Sequence, residues 1–128
     1  MNFTIKTKIK ATSREIYEAW LDSKCHTEMT GGMACISSKV GEIFTAWDDY
    51  IIGKNILLVP YSRIKQNWRT SQFSHTDKDS TLELILVEDD GETELTLIHT
   101  NLPADGDHYK EGWEKHYFKP MKTYFINK

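Results

Sequence analysis

The feature that most constrains the fold is a long aromatic stripe near the C-terminus, in residues 107–125. Its large apolar side chains recur in steps of four, four, four and three residues, at Tyr109, Trp113, Tyr117, Met121 and Tyr124. Because each residue of an α-helix turns by about 100°, this spacing keeps them on one face. Phe118 and Phe125 fall beside the stripe and are expected to flank it. The segment therefore predicts a long amphipathic helix that needs a broad apolar partner.

Pro120 interrupts the regular pattern of this predicted helix. A proline inside a helix has no N–H to donate to the carbonyl four residues earlier, here that of His116, and its ring crowds that turn. Two outcomes are open: one helix with a kink between His116 and Lys119, or two helices broken at Pro120. Because the stripe continues in phase beyond the proline, we predict a single kinked helix.

The chain before this helix is mostly of period two, which predicts strands. Residues 3–9 alternate apolar side chains with lysines and form the first strand. A capping box at residues 12–15 then begins a helix that runs to about Leu21, and a second short helix is expected over about residues 23–29. The remaining candidate strands are residues 33–37, 42–47, 50–59, 62–70, 80–88 and 93–100.

Alternation within three of these strands assigns their inward faces. The inward residues are Ile64, Gln66 and Trp68, then Leu82, Leu84 and Leu86, then Leu95, Leu97 and His99. Gln66 and His99 are polar, so each must find a hydrogen bond there or meet a ligand or water. The order of elements predicts an α+β fold, in which a curved antiparallel sheet of about six to seven strands wraps around the C-terminal helix. A cavity between sheet and helix is a further expectation.

Composition and charge narrow the class of protein. A chain of 128 residues is expected to form one domain, residues 1–128. The N-terminus has no apolar segment, and no stretch approaches 18 apolar residues, so we expect a cytoplasmic protein without a membrane span. A net charge of −3, with lysines interleaved among acids, argues against nucleic acid as a partner. The spacings of Cys25, Cys35 and the histidines predict no disulfide, metal or other cofactor.

Six stretches of the sequence resemble a known family. They are residues 30–32, 41–47, 50–60, 64–69, 95–100 and 112–113. Over about residues 4–125 the chain resembles the family like the C-terminal domain of the activator of heat-shock protein 90 ATPase. That family lies within the helix-grip superfamily of START domains, birch-pollen-allergen-like proteins and polyketide cyclases. The resemblance implies a helix-grip fold with a hydrophobic cavity. The eukaryotic co-chaperone also has a separate N-terminal domain, which we do not expect in this chain.

An aromatic-rich helix over a concave sheet favours binding of an aromatic or lipid-like hydrophobic small molecule. The candidate cavity contacts are Trp20, Trp47, Gln66, Trp68, His99, Trp113, Tyr117 and Met121. Core packing is the commoner reason for aromatic residues at helical spacing, and a hydrogen bond at the end of a strand is the commoner role for His99. Both interpretations remain open from the sequence.

Two other functions are alternatives. The resemblance implies a protein-interaction module that modulates a heat-shock-protein-90-type chaperone. The superfamily also implies a polyketide-cyclase-like enzyme, in which His99 or Tyr117 would move a proton. The sequence shows no Ser/His/Asp order, glycine-rich phosphate loop or nucleophile elbow, so no catalytic residue is predicted.

Overall fold

The computed structural model describes residues 1–127 and places six strands in one antiparallel sheet. The strands are β1 (Phe3–Ile9), β2 (Ile43–Ala46), β3 (Ile51–Val59), β4 (Arg63–Thr70), β5 (Ser80–Asp89) and β6 (Glu92–Thr100). Their order across the sheet is β1-β6-β5-β4-β3-β2, so β2 to β6 follow one another and β1 pairs with β6 at the far edge. The predicted α+β architecture is confirmed.

Two short helices, α1 (Ser13–Trp20) and α2 (Ser23–Thr30), connect β1 to the rest of the sheet. The predicted capping box is present, because the Thr12 hydroxyl accepts the Glu15 N–H and the Glu15 carboxylate accepts the Thr12 N–H. Asp22 caps α2 by accepting a backbone N–H of its first turn. Helix α1 contacts β5, and α2 packs against the C-terminal helix.

The strand predicted over residues 33–37 is wrong. Only Cys35 pairs with the sheet, through an isolated bridge to Thr45. The physical reason is a competing side-chain hydrogen bond from α2: the Ser23 hydroxyl accepts the Ile36 N–H at 2.8 Å and donates to the Ile36 carbonyl at 3.2 Å. These bonds tie the segment to α2, so it does not extend the sheet beyond β2.

The C-terminal helix is continuous but not uniform. It consists of α3 (Asp107–Trp113), a π turn (Glu114–Phe118) and α4 (Lys119–Ile126). The residues on either side of the π turn keep right-handed helical dihedrals, so the helix is not broken at Pro120. The π turn ends two residues before Pro120, in the turn that the missing N–H and the ring of the proline disturb. The prediction of one helix rather than two across Pro120 is confirmed, and its kink stays a prediction.

The π turn changes which residues of the C-terminal helix are buried. Its hydrogen bonds span five residues instead of four, so it accommodates one extra residue. Each later residue therefore occupies about the position that regular helical spacing assigns to the residue before it. Beyond Tyr117, the buried side chains are Phe118, Met121 and Phe125, whereas Tyr124 is only half-buried. The expectation that Tyr124 lies on the stripe and Phe118 and Phe125 on its flanks is wrong for this reason.

The concave face of the sheet carries the side chains that alternation predicts. Every second residue of β4, of β6 and of β5 as far as Leu86 is buried there, including Gln66 and His99. The C-terminal helix lays its aromatic residues on this face: the Trp68 ring lies 5.6 Å from that of Trp113 and 5.1 Å from that of Tyr109, centroid to centroid. Aromatic side chains from sheet and helix therefore meet in the core.

Candidate functional site

A cavity of about 280 Å³ lies between the C-terminal helix and the part of the sheet that contains β3 and β4. The sheet side contributes Trp47, Tyr50, Ile51 and Trp68, and the helix contributes Tyr109, Gly112, Trp113, His116 and Tyr117. The surface of the cavity is almost entirely apolar. His116 is exposed, and Trp47, Tyr50 and Gly112 are half-buried, so the cavity opens to solvent on their side.

Tyr117 lines the cavity with its ring, but its hydroxyl is bound in the core. The Tyr117 oxygen lies 3.0 Å from Nε2 of His26, and Nδ1 of His26 lies 2.8 Å from the Trp20 carbonyl. Because a carbonyl only accepts, Nδ1 carries the imidazole proton and Nε2 accepts the hydroxyl of Tyr117. Burial raises the pKa of Tyr117 and lowers the pKa of His26 to about 4, so both groups are neutral at pH 7.

His99 belongs to a second buried network, behind Trp113. The indole N–H of Trp113 donates to Nδ1 of His99 at 3.0 Å, so the imidazole proton is on Nε2. Nε2 donates to the Ser80 hydroxyl at 2.9 Å, which in turn donates to the Trp68 carbonyl at 2.6 Å. Burial lowers the pKa of His99 to about 3. This geometry favours the interpretation of His99 as a hydrogen-bonded core histidine.

The other two tyrosines of the lining also direct their hydroxyls to protein groups. The Tyr109 hydroxyl lies 2.5 Å from that of Thr70, and burial raises the pKa of Tyr109 to about 12. The Tyr50 hydroxyl donates to the Gln72 side chain at 2.7 Å. The hydroxyls of the three lining tyrosines are therefore engaged, and their carbon surfaces face the cavity.

The rim of the cavity is shaped by an unusual backbone run. Trp47, Asp48 and Asp49 have consecutive φ angles of 52°, 58° and 71°. The left-handed conformation costs about 1–2 kcal/mol for a residue with a side chain, and such strain concentrates at functional sites. The run holds the Trp47 ring 5.6 Å from that of His116 and over Gly32, where a Cβ would lie 2.4 Å from the indole. Residue 32 must therefore be glycine for Trp47 to occupy this place.

The structure divides the eight predicted contacts into two groups. Four of them line the cavity, namely Trp47, Trp68, Trp113 and Tyr117, and four are buried without lining it, namely Trp20, Gln66, His99 and Met121. Trp20, for example, stacks on Trp113 with ring centroids 6.2 Å apart. Alternation and helical phase assign a side chain to a face, but not to a depth within the core. Ligand contact by any of the eight stays a prediction.

Gln66 meets its need for a hydrogen bond only in part. Its amide donates to Oδ1 of Asn55 at 2.8 Å, and both side chains are only 1% exposed. Its Oε1 has no partner among residues 1–127. An internal water is the usual partner of such a buried oxygen.

Five lining residues were not predicted as contacts: Tyr50, Ile51, Tyr109, Gly112 and His116. Tyr109 lies on the aromatic stripe one turn before Trp113, so helical spacing was a signal for it. Gly112 had a weaker signal, since glycine is unusual inside a helix. A Cβ at Gly112 would meet no atom within 4 Å, which means that this glycine leaves the wall of the cavity open.

Three further findings bear on the kind of site. Across residues 1–127, no helix is long and apolar enough to cross a membrane. The described part of the chain contains no group of three or more His, Cys, Asp or Glu side chains placed to hold a metal ion. Within that same part, the two cysteines form no disulfide.

A curved antiparallel sheet that closes on a long C-terminal helix over an apolar cavity defines a helix-grip protein. A sequence model of the family described as "Activator of Hsp90 ATPase homolog 1-like protein" matches residues 10–125. The chain belongs to this family.

Named relatives agree with this assignment. The chain is 25% identical over 123 residues to the activator of 90 kDa heat shock protein ATPase homolog 1 of Mus musculus, covering 95% of this chain and 36% of the relative. It thus spans just over a third of the length of the curated relatives that it matches.

Solved structures support the helix-grip fold. An HSP90 activator from Plasmodium falciparum superposes with a TM-score of 0.89 at 22% identity, covering 96% of this chain and 94% of that one. The Aha1 dimer from Colwellia psychrerythraea superposes with a TM-score of 0.83 at 16% identity, covering 100% and 98%. At these identities the likeness concerns the fold alone.

Proposed function

We propose that this protein binds a flat, apolar small molecule in the cavity beneath the C-terminal helix. The observation that carries the proposal is an apolar cavity of about 280 Å³ whose lining tyrosines direct their hydroxyls into the protein. An apolar cavity of roughly 150 Å³ accepts benzene, so the space here suits about two fused rings. The tilted rings of Trp68 and Trp113, 5.6 Å apart, offer aromatic faces to such a ligand.

Gly112 supports this proposal over simple core packing. A glycine inside a helix costs about 1 kcal/mol relative to alanine, because it gains backbone freedom on unfolding. Close packing does not explain the glycine, since a Cβ at this position would meet no neighbour within 4 Å. A larger side chain would stabilise the helix and reduce the cavity. Glycine therefore lowers the stability of the helix at a position where a larger side chain would close the wall of the cavity.

Filling the cavity at Gly112 is expected to abolish binding without loss of stability. Gly112→Ala should raise the free energy of unfolding by about 1 kcal/mol, because alanine favours the helix. Gly112→Leu should fold but remove most binding of a neutral bicyclic arene, because its side chain occupies the ligand's space. Binding is measured from the indole N–H resonances of Trp47, Trp68 and Trp113 in NMR titrations.

The matched control is Lys110→Leu, which adds the same side chain at an exposed position of α3 outside the cavity lining. It should bind the arene like the wild type. Equal binding by Gly112→Leu and Lys110→Leu, or no saturable shift in the wild type, would overturn the proposal.

Modulation of an Hsp90-type chaperone is a second candidate function, and family membership favours it. The similar structure from Plasmodium falciparum is named an HSP90 activator, and the mouse relative is named an activator of the chaperone ATPase. The chain corresponds to only 36% of the mouse relative, so the activity of the whole relative is a proposal for this chain.

The chaperone candidate predicts that saturating amounts of this protein raise the steady-state ATPase rate of an Hsp90-type chaperone. A chaperone-specific inhibitor supplies the background rate, and heat-denatured protein is the negative control. Gly112→Leu should activate as well as the wild type if the surface, and not the cavity, contacts the chaperone. An unchanged rate at saturation would dispose of this candidate and leave ligand binding untouched.

The enzyme alternative gains no support from the geometry. Both ring nitrogens of His99 are hydrogen-bonded, and the Tyr117 hydroxyl donates to His26. Proton transfer through either residue would first break a buried hydrogen bond, which leaves a polar group unpaired. We therefore propose binding and not catalysis.

A further inference from the structure

We infer that the ligand is an anionic amphiphile: its apolar rings fill the cavity, and its carboxylate lies beside Lys115 and Lys119 in a groove that adjoins the rim. This inference rests on the proposed binding in the cavity. Beyond that proposal, the inference specifies the charge of the ligand, the position of the head group and the orientation of the ligand in the site.

The groove is an open depression of about 540 Å³ between the end of α2 and the C-terminal helix. Its polar lining includes Glu28, Lys115 and Lys119. Trp47 and His116 line both the cavity and the groove, and their rings, 5.6 Å apart, separate the two spaces at this rim. A ligand tail that passes beside these rings would reach Lys115 and Lys119.

Inward of the rim, where Trp47 and His116 lie, a polar head group has no partner in the cavity. The walls are apolar, and the hydroxyls of Tyr50, Tyr109 and Tyr117 are bound to protein groups. Burying a polar group without a hydrogen bond costs several kcal/mol, and burying an unpaired charge costs more. The rings of an amphiphile are thus retained by the cavity while its head group is directed outward through the rim.

The groove favours a negative head group. Lys115 and Lys119 are exposed, and within residues 1–127 no carboxylate oxygen forms an ion pair with either ammonium group. In the described chain Glu28 is the single acid that lines the groove, so two ammonium groups face one carboxylate. Asp48 and Asp49 follow Trp47 in the chain but do not line the groove. A ligand carboxylate would therefore complete the charge balance of this surface.

The test compares 4-(2-naphthyl)butanoate with its neutral analogue 4-(2-naphthyl)butan-1-ol, by NMR titration at low salt. Lys115→Gln combined with Lys119→Gln should weaken carboxylate binding about threefold to tenfold and leave alcohol binding unchanged, because exposed ion pairs contribute modestly. Glu28→Gln should change the carboxylate affinity in the opposite direction, tightening it about twofold. Added salt should reduce the preference for the carboxylate.

The matched control replaces Lys110 and Lys122 by glutamine, which removes the same charge from the same helix outside the groove. Equal affinities for acid and alcohol, or equal losses in the two double variants, would overturn the inference while cavity binding stands. Failure of both compounds to bind would overturn the proposed function as well. Because all five substituted side chains are exposed, thermal unfolding should show that each variant folds.

Discussion

Acidification from pH 7 to pH 5 is expected to lower the free energy of unfolding by roughly 4 kcal/mol, with His26 and His99 each contributing about half. Both imidazoles are buried, at 2% and 0% exposure, and both are neutral in the fold. Each accepts a hydrogen bond on one nitrogen, from Tyr117 to His26 and from Trp113 to His99. Protonation would replace that acceptor with a second N–H and place a charge in the core.

The sign of the effect follows from the two pKa values. In the fold the pKa of His26 is lowered to about 4 and that of His99 to about 3, whereas an unfolded histidine titrates near 6.5. Below pH 6.5 the unfolded chain therefore binds more protons than the folded one, so stability falls as the pH falls. The loss is about 1.4 kcal/mol per pH unit for each histidine, which gives roughly 2 kcal/mol each at pH 5.

Urea unfolding at pH 7, 6 and 5 measures this effect in a range where most carboxylates remain ionised. His26→Gln and His99→Gln should each lower stability at pH 7 and also remove about half of the pH dependence. His75→Gln, at an exposed position, is the matched control for replacing a histidine by glutamine. Equal stability at pH 5 and pH 7 would contradict the neutral state of both networks.

Trp113→Ala is expected to lower the free energy of unfolding by about 3–5 kcal/mol. Trp113 is 3% exposed and has ring contacts with Trp20 at 6.2 Å, Trp68 at 5.6 Å and Tyr117 at 4.7 Å. Its indole N–H also supplies the hydrogen bond to His99. Truncation removes these contacts, enlarges an existing cavity and leaves Nδ1 of His99 without its donor.

Two control substitutions separate these contributions in chemical denaturation experiments. Trp113→Phe keeps a ring but removes the donor, so it should cost less than the alanine variant, about 1–3 kcal/mol. Trp47→Ala removes a half-buried indole at the rim and should cost less than Trp113→Ala. If Trp113→Ala were no more destabilising than Trp47→Ala, Trp113 would not be the central packing residue that its contacts indicate.

The sequence predicted the architecture well because two periodicities are strong in it. Period two along β4, β5 and β6 gave the inward faces correctly, down to the two polar residues Gln66 and His99. Helical spacing likewise gave the buried face of α3. Both patterns arise because each element buries one apolar face, and the burial of apolar surface is the main driving force of folding.

The errors in the fold have local causes that period does not reveal. Residues 33–37 alternate like a strand, yet hydrogen bonds from Ser23 hold them to α2. Beyond Tyr117, Met121 is buried as predicted, but the π turn places Phe125 on the buried face instead of Tyr124. Sequence showed that Pro120 would disturb the helix, but not that the helix would accommodate it with wider turns.

The site was harder to predict than the fold, since a cavity forms where side chains leave space unfilled. Trp68 and Trp113 were found by their position on inward faces, and the same argument also selected Met121, which is fully buried without lining the cavity. Gly112 contributes empty space, which no pattern of apolar residues records. Only the relative placement of sheet and helix distinguishes side chains that border the cavity from those that support it.

The π turn determines how α3 and α4 are rotated relative to each other about the axis of the C-terminal helix. Contacts with β1 and α2 fix α4, whereas α3 presents Gly112 and Trp113 to the cavity. Deleting one residue from Glu114–Phe118 would convert the wide turn into an ordinary one and leave both halves facing as they do, because Phe118, Met121 and Phe125 would then continue the regular helical spacing of Tyr109 and Trp113. An ordinary turn that kept every residue would instead rotate α3 by about 100° relative to α4, and the open wall at Gly112 would turn away from Trp68. The shape of the cavity thus depends on a wide turn that accommodates one extra residue.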